Sequence, residues 1–389
     1  MSERQTQEGP LSYENWKAFV DGQAAEGAYE HPLFTDAYIT GEVTIGLGSY
    51  ELLHNLRLPS APPTIPALFL RYEYRQDLEG PENCPKGEIQ TSYERYHGGT
   101  LADEVAALVS LCLGIRLQAG GASRYFDPSK DSRGHPRGSY AHQNPIFLKW
   151  PGSPSMLPWA VGTHLISDLN EKSPLPSFPQ LTPTQAANLM LVARLHQDGM
   201  WFAEVNPEIS WLLFVSAAET AAEQWRSDTA SPVERLKAAK PELATVLYDE
   251  GGEEHLRKVA EMIVPYMGAT KKFIDFLLEF MPGPPSHRPE EAFQYPWGRT
   301  ALKKSLGKIY DWRSRALHGG IEFPLPMCLP PFRHESGYAE TPTGIATWTP
   351  LASWSSKDTP MTLHLFEYIV RNAVLRWWES MSPETSNDS

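Results

Sequence analysis

At Thr182-Pro183, Asn206-Pro207 and Asp358-Thr359-Pro360 the chain writes a polar residue directly before proline. A capping side chain followed by proline at the first helical position is a start signal for a helix, because proline lacks only an N–H that the first turn leaves free anyway. Apolar residues at intervals of three and four follow each signal. The expected helices run from Thr182 to a stop at Gly199, from Asn206 to about Trp225, and from Pro360 to Ser380. Further helices are expected over 253–267, 271–280 and 299–318. On the second of these helices, apolar residues occupy two faces. Ile209, Leu212 and Leu213 form one; Trp211, Phe214, Val215, Ala218, Ala222 and Trp225 form the other. A helix apolar on two faces belongs at the centre of a bundle.

The first half is patterned differently. Residues 38–47 and 67–74 have the β-branched and aromatic content of strands, and 87–96 suggests a third. Leu101, Val105, Leu108, Cys112 and Ile115 then mark a helix over 101–117. From 122 to about 181 the periodicity gives way to proline, glycine and serine. The expected fold class is α+β. A mixed domain over 1–150 is joined by a proline-rich extended connector over 151–180 to an all-helical domain over 181–385.

With 389 residues, 41% of them hydrophobic and 21% charged, the chain is long and apolar enough for a substantial core. Its formal charge of −13 argues against non-specific coating of nucleic acid but leaves room for a local basic groove. Cys84, Cys112 and Cys328 are far apart and lack metal-ligand spacing, as expected of reduced, buried thiols. The N-terminus has no signal-peptide core and no apolar run is long enough to cross a bilayer, so a cytoplasmic location is expected. There is no phosphate-cradling glycine loop, no His-Glu-x-x-His and no serine elbow; no metal and no cofactor are expected. Lys130, Arg133, His135, Arg137 and His142 cluster in what reads as a polar surface loop, able to contact phosphate but in no need of a function.

Chemistry concentrates on the helix ending at His318. Leu302, Leu306, Ile309, Arg313 and Leu317 follow the helical rhythm, which puts Arg313 on the stripe that faces other helices. A guanidinium there needs a partner or a function. Either it forms a structural ion pair with Glu219 or Glu223, or it stabilises negative charge on a phosphorus. His318 is five positions on, rotated by roughly 140° on an ideal helix. The two can meet only if the helix frays at His318 or if a second subunit completes the site. A histidine that caps the last carbonyls is the alternative. The segment carries Arg299, Lys303, Lys304, Lys308, Arg313 and Arg315 against Asp311 alone, a field able to attract a polyanion or simply a solvated lysine face.

The run Tyr310-x-x-Arg313-Ser314-x-x-x-His318-Gly319 resembles the C-terminal signature of HEPN domains, and is closest to the ApeA-like HEPN group of bacterial proteins. The stretch 209–219 is similar to that group's central helix. The resemblance covers about residues 181–385. It implies an antiparallel helical bundle that forms a homodimer and cleaves RNA without a metal, often in phage defence or toxin systems. Carried onto this chain, Arg313 stabilises the phosphorane, His318 is the general base or acid, and Ser314 is the polar residue after the arginine. Lys304, Lys308, Tyr310 and Arg315 are the expected substrate contacts. Many active HEPN nucleases have Asn, Asp or His where this chain has Ser314. The alternative is therefore a non-catalytic HEPN module that binds a nucleotide, nucleic acid or protein partner. The N-terminal domain is expected to be a sensor or regulator.

Overall fold

A computed structural model describes residues 9–55, 65–75, 97, 99–127, 131–136, 153–225, 231–264, 268–342, 346–349 and 352–382. The strand expected over 87–96 lies outside them. The chain opens with α1 (Leu11–Val20) and then builds an antiparallel sheet. Its strands are β1 (Gly27–Phe34), β3 (Tyr50–His54), β4 (Leu68–Tyr74), β6 (Arg124–Asp127) and β7 (Asp131–Pro136), in the order β3-β4-β1-β6-β7. The short β5 (Gln118–Ala119) also pairs with β1. A small parallel pair joins β2 (Tyr38–Thr40) to β8 (Thr163–Leu165). Helix α2 (Leu101–Leu113) packs against α1 and β5. It starts at a Thr100–Asp103 capping box, which satisfies two N–H groups of its first turn.

The second half is helical apart from one hairpin. After α3 (Asp168–Glu171) and a 3₁₀ turn over Leu175–Gln180 come α4 (Pro183–Phe202), α5 (Pro207–Trp225), α6 (Pro232–Ala239), α7 (Pro241–Ile263) and α8 (Ala269–Glu279). Then follow α9 (Arg299–Gly319), the hairpin of β9 (Ala346–Thr349) and β10 (Ala352–Ser355), and α10 (Leu363–Met381). The chain is thus α+β, a sheet-bearing N-terminal region followed by a helical one. None of the helices among the described residues is long and apolar enough to cross a membrane.

Helix α5 is central, touching α4, α8, α9 and α10. Trp211, Phe214, Val215 and Ala218 are fully buried, and Trp211 stacks on Phe366 with ring centroids 4.9 Å apart. The expected stop at Gly199 does not occur; α4 runs on to Phe202. Gly199 is instead a contact point, because a Cβ there would lie 2.7 Å from Phe214 Cε1. Its missing side chain lets α4 and α5 approach closely, a use of glycine that looks in sequence like a terminator.

Two further expectations change. The stretch 38–47 is a strand only over Tyr38–Thr40, and the rest is a glycine-bearing loop. The expected extended connector is packed: Met156, Leu157, Ile166, Leu169, Leu175 and Phe178 are all buried. They belong to one hydrophobic cluster that runs from Tyr13 in α1 to Trp378 in α10, so both halves share a core.

Charge also crosses between the halves. Arg116, only 1% exposed, donates from Nε to Asp36 at 3.0 Å and lies 3.2 Å from Glu204 at the α4–α5 corner. Glu204 accepts in turn from Ser155 Oγ and from the Met156 N–H. Burial opposes the guanidinium charge, and the two carboxylates more than offset it.

Glu104 on α2 is a second buried ionisable group. It accepts the N–H groups of Leu11 and Ser12 at the start of α1, at 3.3 and 2.7 Å. Burial nevertheless pushes its carboxyl up from 4.5 to about 7. Folded chain therefore holds this proton up to about pH 7, whereas unfolded chain releases it near 4.5. The stabilising contribution is complete in acid and is lost as pH rises between those values. Relative to the parent, Glu104→Gln is expected to gain about 3 kcal/mol between pH 4.5 and pH 8. Urea unfolding at the two pH values measures this, and a constant difference would contradict it.

Candidate active site

Helix α9 carries two stripes of opposite character. Leu302, Leu306 and Ile309 are fully buried, and Arg313 continues their line at the bundle surface. Leu317, expected on the same stripe, is 51% exposed. The second stripe is Lys304, Lys308, Asp311, Arg315 and His318, at spacings of four, three, four and three. At 100° per residue these five fall within an arc of roughly 80°, and Arg313 stands about 180° from its centre. His318 therefore ends an exposed, mostly basic stripe, and Arg313 belongs to the other side.

The arginine is held from α5 and from its own helix. Arg313 Nη2 donates to Glu219 Oε2 at 2.7 Å, and the Tyr310 hydroxyl donates to Glu219 Oε1 at 2.6 Å. The guanidinium carbon lies 5.4 Å from the centroid of the Tyr310 ring, which packs in turn on Phe273 of α8. Burial, then the hydrogen bond to Glu219 and its negative charge, push the Tyr310 hydroxyl up to about 12. It therefore stays a donor at neutral pH. Arg313 and Glu219 are 20% and 19% exposed, and Arg313 Nε has no acceptor among the described residues. Glu219 is thus the partner; Glu223, one turn further along α5, pairs with Lys272 at 2.7 Å.

The basic stripe is partly neutralised. Lys308 Nζ lies 3.2 Å from Asp358 Oδ1, and Trp312 Nε1 donates to the Asp358 carbonyl at 2.9 Å. Arg315 lies over the Trp312 ring, 5.0 Å from its centroid. Lys304 and His318 are exposed, and His318 makes no side-chain hydrogen bond among the described residues. Ser314 is half-buried beside Arg313. Tyr310 is buried against Glu219, so it orients the arginine and is not placed to touch a substrate, as it was expected to do.

Of the two ways to unite Arg313 with His318, fraying is removed: α9 stays helical through Gly319 and is capped at Gly320. Within one chain the pair does not share a face. Asp358 was legible only as part of the start signal of α10. The segment expected to be a polar surface loop is in part strand, with Arg133 and His135 on β7. Its Lys130, Arg137 and His142 lie outside the described residues. Among the described residues, no three His, Cys, Asp or Glu side chains are grouped to hold a metal ion.

No family model, curated protein or solved structure matches the chain.

Removing one partner from the Glu219 cluster leaves the others uncompensated in a half-buried place. Glu219→Gln is expected to cost about 2 kcal/mol, and Tyr310→Phe about 1 kcal/mol. The double variant should fall short of the sum, because both act through one carboxylate. Urea unfolding of the four proteins measures this coupling; strict additivity would show that Glu219 and Tyr310 do not act through a shared contact.

Proposed function

We propose that the helical half is a HEPN-type module of the ApeA-like group, and that the chain is a metal-independent endoribonuclease of bacterial phage-defence or toxin systems, acting in the cytoplasm. Its site is shared by two copies of the chain. The observation that carries this reading is the placement of Arg313 and His318 on opposite sides of an unbroken helix end. One chain cannot present both to one phosphate, and a two-fold axis near the end of α9 brings the histidine of one copy toward the arginine of the other. Exposed Leu317 and Ile321 on either side of His318 supply apolar surface for such a contact.

The reaction this arrangement supports is transfer within the RNA backbone. The His318 imidazole takes the proton of a ribose 2′-hydroxyl, and the freed oxygen attacks the adjacent phosphorus. The bond to the 5′ oxygen breaks, and that oxygen takes a proton from an imidazolium. Arg313 stabilises the crowded, negatively charged phosphorus, with Glu219 and Tyr310 fixing its orientation. The products are a 2′,3′-cyclic phosphate and a 5′-hydroxyl. Lys304, Lys308 and Arg315 lead the backbone toward His318 along the exposed stripe.

A second reading is favoured by the ion pair itself. Glu219 already neutralises Arg313 inside one chain, as in a module that binds a nucleotide, nucleic acid or protein partner and has no cleavage step. Under that reading Arg313→Ala lowers stability or binding, and there is no RNA product to lose.

Incubating purified protein with RNA in the presence and absence of EDTA separates the two. Cleavage is expected to persist in EDTA and to fall by about 100-fold or more in His318→Ala. Activity that EDTA abolishes, or that His318→Ala leaves whole, sinks the ribonuclease reading.

A further inference from the structure

Far from α9, the N-terminal region holds a preformed groove of about 720 Å³ between α1, the loop joining β2 to β3, and the 3₁₀ turn. Phe19 and Val20 from α1, Ile45 from the loop, and Pro176 and Pro179 from the turn give it apolar walls. The loop is fixed in place: Asn170 Nδ2 donates to the Ile45 carbonyl at 2.8 Å. Gly48, at a φ of +63°, brings its backbone flat against the Trp16 indole, where any side chain would collide with Nε1. Ile45 is nevertheless 84% exposed, a large apolar side chain presented at the rim of a held loop.

Two hydrogen-bond donors on the α1 wall have no protein acceptor among the described residues and are open to the groove. Trp16 is 5% exposed and lines the groove beside Gly48, and its indole N–H has no acceptor among the described residues. The next residue, Lys17, also lines the groove and has no carboxylate partner among them. Among the described residues no aspartate or glutamate lines the groove, although the chain as a whole carries a net charge of −13.

We propose that this groove binds a small organic anion with a flat apolar body. Its acidic group would pair with Lys17 and accept from Trp16 Nε1, and its ring would lie against Phe19, Pro176 and Pro179. The volume falls in the range of roughly 300–1,000 Å³ usual for small-molecule sites. A single lysine is too little charge to hold a nucleic acid strand, whose affinity rests on many phosphate contacts. The site is independent of Arg313 and His318, and it makes the sheet-bearing region a receptor for a metabolite-sized ligand.

Fluorescence titration of the full chain with 1-anilinonaphthalene-8-sulfonate tests this, with the uncharged N-phenyl-1-naphthylamine as comparator. The sulfonate is expected to saturate a single class of site, and the neutral probe to bind about tenfold more weakly. Lys17→Glu should weaken the sulfonate by about tenfold, and Ile45→Asp should weaken both probes. Leu329→Ser, in the exposed apolar stretch beyond α9, should change neither. Lys17 and Ile45 both lie outside the buried core, so the variants keep the parental fold, checked by circular dichroism. Lys17→Glu binding like the parent, equal affinity for the two probes, no effect of Ile45→Asp, or loss of binding in Leu329→Ser each overturns the proposal.

Discussion

A guanidinium with almost no exposed surface cannot be left without counter-charge, and Arg116 therefore dictates much of how the chain is arranged. Its charge is tolerated only if Asp36, just after the central strand, and Glu204, at the corner between the two longest-packed helices, are both in place. Glu204 in turn fixes the 155–156 segment through Ser155 and the Met156 N–H. The corner it anchors leads directly into α5, and α5 carries Glu219. A chain of contacts thus runs from the sheet, through one buried cation, to the carboxylate that orients Arg313.

Periodicity carries the helices because burial on one face repeats every three or four residues, and it placed α5, α9 and α10 to within a few residues. It did not find β1, the strand at the middle of the sheet. That strand reads Gly-Ala-Tyr-Glu-His-Pro-Leu-Phe, and its pairing on both sides comes from partners distant in sequence. Gly199 and the proline-rich segment misled for a related reason. Glycine and proline signal what the backbone is free to do, whereas the outcome was decided by what packed against them: the Phe214 ring in one case, the shared core in the other.

The candidate site was legible in part. Arg313 sits on the inward stripe and does pair with Glu219, one of two carboxylates that helical spacing made available. His318 ends the helix as expected. Reading Arg313 and His318 only as a pair did not bring out what the spacing contains, that His318 shares a stripe with Lys304, Lys308 and Arg315, so that the imidazole and the basic residues face one way and the arginine the other. Nor could it supply Asp358, which reaches Lys308 and Trp312 from across the hairpin.

Between α5 and α8 the chain makes an excursion through α6 and α7 that encloses a small core of its own, formed by Leu236, Ala244, Leu256, Ala260 and Val264. The entropic cost of closing a loop grows only with the logarithm of its length, so this detour weighs little on the bundle it interrupts. Because its buried apolar residues pack on one another and not on the main core, it can open and re-form without disturbing Trp211, Phe214 or the Glu219 cluster. The molecule thus holds two cooperative units of very different depth. Residues on the shallow one, such as exposed Val246 and Tyr248, are free to diverge without a penalty in the deep one.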